Sequence, residues 1–286
     1  MEGELWNELY PVICMMGKRF RSRCVQISNT MVILVYAWSV LHDRPVSWAC
    51  RAENWPAHLR PPQLPSPATM SRRMRRVPVL QCLQAIEFAL RDQRPRTMLK
   101  KVDAKPLPVG SYSKDHDARW GRAGAAQARG YKLFALCDGE GVIDNWRIGP
   151  MNQSESTTAL RLVESLEGGG YLLGDALYDT NDLYGAVAQR GWQLLAPRKK
   201  PGTGLGHRLH HPARRRSIEM LETAFGRGLY GCRTSIERYF GNIGSFGGGL
   251  GPLPSWVRRP HRVATWVQVK IIINAVRTKI KCKCTA

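Results

Sequence analysis

The sequence predicts an α/β protein in which helices flank a mixed sheet, with a helical region in front of it. Three observations lead to this fold class. Helical patterns fill the first hundred residues, short apolar strands alternate with helices in the middle, and basic charge is concentrated outside that middle. With 286 residues, 43% of them hydrophobic, the chain has enough apolar material for one large domain or two modest ones.

The N-terminal region has the features of several short helices. Residues 26–41 and 46–54 predict the first two, and a proline-rich turn follows at 60–67. Ser66 and Pro67 then offer an N-cap and a first-turn proline for a helix that runs to residue 76. A further helix is expected at 79–90 and a linker at 91–96.

The helix that begins after Ser66 has a cluster of basic side chains, Arg72, Arg73, Arg75 and Arg76. A short arginine-rich helix that follows two others suits a helix-turn-helix arrangement, whose recognition helix enters the DNA major groove. The alternative is a basic helix that faces only solvent. We therefore predict a helix-turn-helix-like DNA-binding region over residues 1–96.

The middle of the chain alternates strands and helices. The predicted order is a strand at 99–104, a hairpin of strands at 131–137 and 142–148, a helix at 155–166, a strand at 171–175, a helix at 181–190 and a strand at 192–196. This order is that of a ribonuclease-H-like core, a mixed sheet flanked by helices. We predict that the domain covers residues 97–286, with basic helices at its C-terminal end.

The C-terminal segment is strongly basic. Candidate phosphate-binding side chains on it are Arg198, Lys199, Lys200, Arg214, Arg215, Arg216 and Arg238. Helices are expected at 217–225, 232–242 and 260–279. A run of such residues after an α/β core favours contact with a polyanion.

The net charge of +21 is unevenly distributed along the chain. Residues 1–100 hold 15 basic and 7 acidic side chains (+8), residues 101–196 hold 10 and 12 (−2), and residues 197–286 hold 18 and 3 (+15). Two basic flanks therefore enclose a slightly acidic centre. An enzyme that grips a polyanion with its flanks and holds divalent metals in its centre needs this distribution.

Several classes of protein are excluded or disfavoured. The apolar stretch at 25–41 is interrupted by polar residues and is short for a bilayer span of about 20 residues. The acidic N-terminus MEGELWNELY lacks the basic and apolar regions of a signal peptide. The eight cysteines contain no C-x-x-C pair. We expect a cytoplasmic protein with reduced thiols and no membrane partner.

Three acids stand where a metal site is expected. Asp103 and Asp175 each follow a buried strand, at the sheet edge where α/β proteins collect ligands. Glu237 is one of three acids among the last ninety residues, four residues after Arg233. Converging carboxylates make a hard-oxygen site for Mg²⁺ or Mn²⁺, and two such ions can clamp both oxygens of a phosphodiester displacement. A surface ion pair with Arg233 is the alternative for Glu237.

Three motifs resemble those of the DDE-type insertion-sequence transposases. VDAKPLPVG around Asp103 resembles the strand of the first acid, and LLGDALYDTNDLY around Asp175 resembles the motif of the second. Y-x2-R-x3-E at Tyr230, Arg233 and Glu237 resembles the signature of the third. The match covers about residues 97–280. The family signature continues with a lysine seven residues after the glutamate, where this sequence has Gly244; Arg238 or Lys270 are candidates to replace it.

The resemblance implies a transposase that cuts DNA at element ends and transfers the strand into target DNA. It implies that Asp103, Asp175 and Glu237 hold two Mg²⁺ or Mn²⁺ ions, with Tyr230 and Arg233 assisting at the DNA end. The implied partners are double-stranded DNA, namely terminal inverted repeats and target DNA, and a second copy of the chain in a homodimer on DNA. The resemblance also implies a bacterial, nucleoid-associated protein. Two alternatives stay open: a ribonuclease-H-like nuclease without strand transfer, and an inactive DNA-binding derivative.

Other acids compete for a catalytic role. Asp179 is expected in a turn, where Asp commonly caps the next helix. Asp138 and Asp144 are expected to be exposed on the hairpin. Asp115 and Asp117 fall in a charged segment, predicted as a loop that could contact DNA.

Overall fold

The computed structural model describes residues 2–20, 26–91, 97–110, 112–139, 142–207, 209–244 and 250–285. The chain forms two compact units. The first combines residues Met1–Arg94, Asn242–Leu250 and Trp256–Ala286, and the second combines Pro95–Gly241 and Gly251–Ser255. The C-terminal helix thus belongs to the same unit as the N-terminal helices, and the division at residue 96 stays a prediction.

The first unit is helical. Its helices are α1 (Glu2–Arg19), α2 (Asn29–Leu41), α3 (Val46–Ala49), α4 (Pro67–Arg73), α5 (Val77–Arg91) and α11 (Pro260–Thr285). Ser28 caps α2 by accepting a hydrogen bond from the Met31 N–H at 3.1 Å. Ser66 caps α4 in the same way, with Pro67 at its first turn, as the sequence predicts. The predicted linker at 91–96 lies almost wholly outside the described residues.

The core of the first unit is aromatic and aliphatic. The Trp38 and Trp55 rings stack with their centroids 4.5 Å apart, and the Trp6 ring meets Trp38 edge-on. The ammonium of Lys270 is buried in this unit and lies 2.7 Å from a carboxylate oxygen of Asp43. Lys270 is therefore paired inside its own unit and does not serve as the DNA-contacting replacement for the signature lysine.

The second unit is a mixed α/β structure. In the described part of the chain its strands are β1 (Leu99–Pro108), β2 (Arg119–Ala123), β3 (Ala126–Asp138), β4 (Ile143–Pro150), β5 (Gly170–Leu173) and β6 (Trp192–Leu195). The helices are α6 (Glu155–Leu162), α7 (Asn181–Gln189), α8 (Pro212–Glu222), α9 (Ala224–Gly231) and α10 (Ser235–Gly244), the last of which ends beyond the unit. Short 3₁₀ turns follow α6, β5 and α9.

The sheet confirms the predicted fold class. Strands β4, β3 and β1 are antiparallel neighbours, while β1, β5 and β6 run parallel, in the order β4-β3-β1-β5-β6. This is the strand order of a ribonuclease-H-like sheet, with β2 added as a partner of the first residues of β3. Apolar side chains of α6 and α7 pack against strand residues such as Val102, Phe134 and Leu172 to form the core.

The structure corrects the predicted elements in two places. Strand β1 was expected to end at residue 104 but runs to Pro108, because β3 pairs with it along its whole second half. Pro106 and Pro108 are tolerated there because β5 has already ended. On the side of β1 that faces away from β3, this half of the strand has no neighbouring strand that would need an N–H donor. Residues 119–123, predicted as part of a loop, form β2.

No helix in the described ranges combines the length and the apolar character that crossing a membrane requires.

Candidate active site

The first two acids meet at the sheet because of strand register. The last pair of the parallel strands β1 and β5 is Lys101 with Leu173, so Asp103 and Asp175 each follow it by two residues. Asp103 lies in the middle of β1, where its parallel neighbour ends, rather than at the end of its own strand as predicted. The Asp175 carboxylate is close enough to raise the pKa of Asp103, so the two acids lie in one neighbourhood at this edge of β5.

Local hydrogen bonds fix both aspartates. Asp103 Oδ1 accepts from the Ala104 N–H at 2.8 Å. Asp175 caps the 3₁₀ turn Ala176–Tyr178, because its Oδ1 accepts from the Leu177 N–H at 2.8 Å. A capping aspartate has one carboxylate oxygen engaged in the turn, and its rotamer is restricted accordingly.

Burial and neighbouring charge raise the pKa of Asp103 to about 6. Desolvation is the largest cause, and repulsion by Asp175 and Glu155 adds to it. The Ala104 amide and the Arg233 guanidinium oppose the shift without cancelling it. A carboxylate that is hard to ionise and lies beside other acids is typical of a functional site, and such a cluster attracts cations.

Arg233 connects the third acid to the first. Its guanidinium lies 4.0 Å from Asp103 Oδ2 and 3.8 Å from Glu237 Oε1. Arg233 sits in the 3₁₀ turn Cys232–Thr234, and Glu237 lies in the first turn of α10, so the predicted i, i+4 pair is formed. The Glu237 side chain is nevertheless 68% exposed, so it approaches the other acids through the arginine rather than directly.

Tyr230 joins the same group from the C-terminal half of α9. Burial raises the pKa of its hydroxyl, the Arg233 guanidinium lowers it, and the Asp175 carboxylate raises it again. These influences identify Arg233, Asp175 and Asp103 as its charged neighbours. The structure thus brings together five residues that the sequence analysis selected, Asp103, Asp175, Tyr230, Arg233 and Glu237. Their chemical roles stay predictions.

The acids of this site supply only part of the ligand set that a metal ion needs. Within the described ranges, no three His, Cys, Asp or Glu side chains stand close enough together to hold a metal ion. Asp103 and Asp175 offer the hard oxygen donors that Mg²⁺ and Mn²⁺ prefer. Glu237 is held apart by Arg233, whose positive charge lies between the acids. The donor chemistry of the two aspartates fits a divalent ion, whereas Glu237 pairs with Arg233 and is mostly exposed.

The competing acids have structural partners. Asp179 does not cap α7, which starts after Thr180. Its carboxylate instead receives two hydrogen bonds from the Arg214 guanidinium, at 2.7 and 2.8 Å, and one from the Lys199 N–H at 3.1 Å. Asp138 was expected to be exposed but is buried, with Oδ1 accepting from the Val142 N–H. Asp144 pairs with Lys100.

The segment before β2 is ordered by a buried carboxylate. Asp115 is 4% exposed and accepts a hydrogen bond from the Tyr131 hydroxyl at 2.8 Å. The Asp117 N–H donates to the same side chain at 3.2 Å. The Asp115 carboxylate faces the protein interior and orders the segment from within, and contact of the segment with DNA stays a prediction.

The predicted DNA-binding side chains fall into two groups. Exposed ones are Arg72, Arg75, Arg76, Lys199, Lys200, Arg215, Arg216 and Arg238. Arg198, Arg214 and Arg73 are partly buried and hydrogen-bonded within the protein. Arg73, for example, donates to the Ile27 carbonyl at 2.8 Å and to Asn29 Oδ1 at 2.5 Å. Their assignment to DNA stays a prediction.

Two residues near the site were missed in the sequence. Glu155, at the start of α6, is close enough to raise the pKa of Asp103, and its carboxylate pairs with Lys132 at 2.7 Å. Lys101 is buried on the same strand as Asp103, two residues before it. Because side chains alternate along a strand, residues 101 and 103 lie on the same face of β1. The sequence could therefore have predicted that Lys101 lies on the face that carries Asp103.

A known protein family matches the part of the chain that carries this site. The sequence profile described as "Transposase DDE domain" matches residues 100–258, which is more than half of the chain. No curated protein matches the chain. Among solved structures, the chain is similar to one described as a cryo-EM structure of a piggyBac transposase synaptic complex with hairpin DNA. The TM-score is 0.46 and the identity 8%, over 94% of this chain and 71% of the other.

Proposed function

This chain belongs to the transposase DDE domain family, and we propose that it is an active transposase, which cuts DNA at the ends of its element and joins them to target DNA. One observation carries the proposal. Asp103 and Asp175 each follow the last β1–β5 pair by two residues, and Arg233 lies within 4.0 Å of both Asp103 and Glu237. Acids that only balanced charge on a DNA-binding surface would have no reason to lie around one shared arginine.

Asp103, Asp175 and Glu237 are the residues that would hold divalent metal ions. When bound, such ions lower the pKa of water and offset the negative charge that builds up on a phosphodiester. The carboxylates contribute the hard oxygen ligands, and the burial of Asp103 strengthens its attraction to a cation. For Glu237 to contribute, its side chain must leave Arg233 and turn towards Asp103.

Arg233 and Tyr230 are then free to act on the DNA end. A guanidinium matches two phosphate oxygens in geometry and charge, and a tyrosine hydroxyl donates a further hydrogen bond. Exposed basic residues such as Lys199, Lys200 and Arg238 would neutralise phosphates further along the duplex. Binding of DNA should therefore weaken steeply as salt is added.

The proposed chemistry proceeds in two balanced steps. Water attacks a phosphorus at the element end, and the bond to the 3′-oxygen breaks, which leaves a 3′-hydroxyl and a 5′-phosphate. The freed 3′-hydroxyl then attacks a phosphorus in target DNA and displaces a 3′-oxygen there. The first step is a hydrolysis, in which water supplies the new oxygen of the 5′-phosphate and the proton of the 3′-hydroxyl. The second step exchanges one phosphate ester bond for another and leaves a 3′-hydroxyl on the target strand. Neither step consumes an oxidant or an energy-rich cosubstrate.

The test uses the full chain, Mg²⁺, and duplex DNA that carries the inverted repeats found beside its coding sequence. We expect nicked ends with free 3′-hydroxyls, and joined products when plasmid DNA is added. Asp103→Ala, Asp175→Ala and Glu237→Ala should each abolish cleavage. Glu219→Ala is the matched control, because Glu219 is an exposed acid of the same basic segment.

The possible outcomes separate the alternatives. If all three acid variants still cleave, the proposed mechanism is wrong. Cleavage without joined products would identify a nuclease of the same fold. Tight binding of the repeats without any metal-dependent product would identify an inactive DNA-binding derivative, for which Gly244 at the signature lysine position is the motivating observation.

A further inference from the structure

Lys101 has an unusual environment for a lysine. It is only 2% exposed, and its ammonium lies 2.6 Å from Ser235 Oγ. It lies 3.4 Å from both the Gly139 carbonyl oxygen and the Tyr239 hydroxyl, and 5.1 Å from the centroid of the Tyr239 ring. The partners of this buried cation are therefore neutral oxygen atoms and an aromatic face.

The other buried lysines in the described part of the chain are compensated differently. Lys132 pairs with Glu155 and Lys270 with Asp43, each at 2.7 Å. Burying an ammonium costs several kcal/mol even when a carboxylate accompanies it. An apolar side chain would fill the space of Lys101 at lower cost, so packing alone does not explain a lysine at this position.

The partners of Lys101 surround the third acid in the sequence. Ser235 and Tyr239 are four residues apart on α10, so they share one helix face, and Glu237 lies between them. The Ser235 hydroxyl also donates to the Cys232 carbonyl at 2.9 Å, at the start of the turn that carries Arg233. The Tyr239 hydroxyl donates to the Gly139 carbonyl at 2.5 Å, next to the end of β3.

These bonds tie the beginning of α10 to the strand that carries Asp103. Arg233 reaches Asp103 and Glu237 at 4.0 and 3.8 Å, which is near the outer limit of an ion pair. Even a small shift of α10 away from β1 would therefore take Arg233 beyond ion-pair distance of Asp103 or of Glu237. An ammonium with three acceptors on two elements resists such a shift more than an apolar contact would.

We propose that Lys101 is a positioning residue, whose ammonium holds α10 against β1 and so sets the separation between Asp103 and Glu237. The inference rests on the proposed function of these two acids as metal ligands. Lys101 itself does not touch the metal or DNA. Partners that orient metal ligands typically change metal affinity by about 10- to 100-fold when they are removed.

The test compares Lys101→Met with Lys100→Met. Lys100 precedes Lys101 on β1, points to the opposite face and pairs with Asp144, so its removal also takes a partly buried charge from the strand. Binding of Mn²⁺ is measured by the loss of the free-ion paramagnetic resonance signal, with Asp103→Asn defining the specific site. Circular dichroism and repeat-DNA affinity report on folding and DNA binding.

We expect Lys101→Met to fold, to bind repeat DNA as the parent does, and to bind Mn²⁺ at least about tenfold more weakly. In cleavage assays the half-saturating Mg²⁺ concentration should rise by the same factor. Lys100→Met should leave both values unchanged. Ser235→Ala removes the shortest hydrogen bond that Lys101 itself donates and keeps the lysine. It should weaken Mn²⁺ binding in the same direction by a smaller factor.

Unchanged Mn²⁺ affinity in folded Lys101→Met, or an equal shift in Lys100→Met, would overturn the proposal. If Lys101→Met does not fold, Ser235→Ala decides in its place. If the parent binds Mn²⁺ through Asp103 but cleaves no DNA, the proposed function fails while the Mn²⁺ comparison still decides on Lys101. If Mn²⁺ binding does not depend on Asp103, both proposals fail.

Discussion

Two aspartates of the second unit, Asp103 and Asp179, lie at the same end of the parallel strands, with side chains 18% and 1% exposed. Asp179 is surrounded by positive charge and hydrogen-bond donors, whereas Asp103 lies among other acids. Asp179 receives two hydrogen bonds from Arg214 and one from the Lys199 amide. Asp103 accepts one hydrogen bond from a backbone N–H and lies 4.0 Å from the Arg233 guanidinium. The other charged groups that influence it are acids. Its carboxylate is left undercompensated.

The difference appears in the acidity of the two groups. Burial raises the pKa of Asp103 to about 6, because its neighbours do not offset the desolvation. Burial would also raise the pKa of Asp179, but hydrogen bonds from Arg214 and Lys199 outweigh it and hold that pKa below its usual value. An ionised aspartate therefore stabilises the fold at position 179 and destabilises it at position 103. A carboxylate with a raised pKa of this kind is typical of a functional site.

The largest effect should come from Asp103→Asn. This change keeps the shape of the side chain but removes the charge that would attract a metal ion. We expect metal-dependent cleavage to fall on the order of 10³-fold or more, as for the loss of essential catalytic groups in other enzymes. Cleavage is measured at saturating Mg²⁺ on repeat DNA. If Asp179→Asn, corrected for its folded fraction, loses as much activity, the distinction between the two aspartates fails.

Asp179→Asn should instead act on stability. It leaves the Arg214 guanidinium without its ionic partner in a partly buried position, and we expect a loss of about 3 kcal/mol in the free energy of unfolding. Urea denaturation measures this value. Combining it with Arg214→Gln should give less than the sum of the two losses, because the pair acts as a unit. Additive losses would show that the two residues are not coupled.

The pH dependence of stability should also separate the two groups. For Asp103, the unfolded chain releases its proton near the ordinary pKa of 3.8, and the folded protein only near 6. Stability therefore falls as pH rises through this window, by about 3 kcal/mol, and stays lower above it. For Asp179, whose pKa is lowered, stability is present above the ordinary value and is lost as pH falls through the folded pKa.

The measurement is the unfolding free energy in EDTA between pH 4 and pH 8, for the parent and for Asp103→Asn. The variant should lack the fall between pH 4 and pH 6 and should be the more stable protein at pH 8. Parallel curves for the two proteins would mean that Asp103 ionises normally in the folded state.

The smallest effect concerns the basic segment that Asp179 anchors. Replacing Lys199 and Lys200 by alanine removes two exposed charges. It keeps the hydrogen bond from the backbone N–H of residue 199 to the Asp179 carboxylate. We expect the slope of log affinity for DNA against log salt concentration to decrease by about two, with stability unchanged. Fluorescence anisotropy at several salt concentrations measures the slope. An unchanged slope would place DNA elsewhere on the protein.

Local signals in the sequence predict much of this molecule. Ser66 and Pro67 define the start of α4, and the positions of the α/β elements follow from apolar patterns. The convergence of Asp103 and Asp175 was predicted because both follow strand patterns. The parts that were missed depend on distant partners. Pro106 and Pro108 look like the end of a strand until the pairing with β3 is known.

Buried charge was the hardest property to predict. Asp179 looks like a helix cap in the sequence, and only the fold brings Arg214, thirty-five residues later, to its carboxylate. Lys101 looks like one more basic residue of a basic protein, although it contacts Ser235 and Tyr239 more than 130 residues away. A sequence states which charges exist, but the partners of a buried charge come from tertiary structure.

The parallel register of β1 and β5 has a consequence for how this chain can tolerate changes in length. Between Asp103 and Asp175 the chain passes through β2, β3, β4 and α6, and the connections between these elements can be lengthened at little cost. Deleting a single residue from Gly170–Leu173 would turn Asp175 to the opposite face of the sheet. Homologues could therefore differ by tens of residues between these acids, while the count from strand to acid stays fixed.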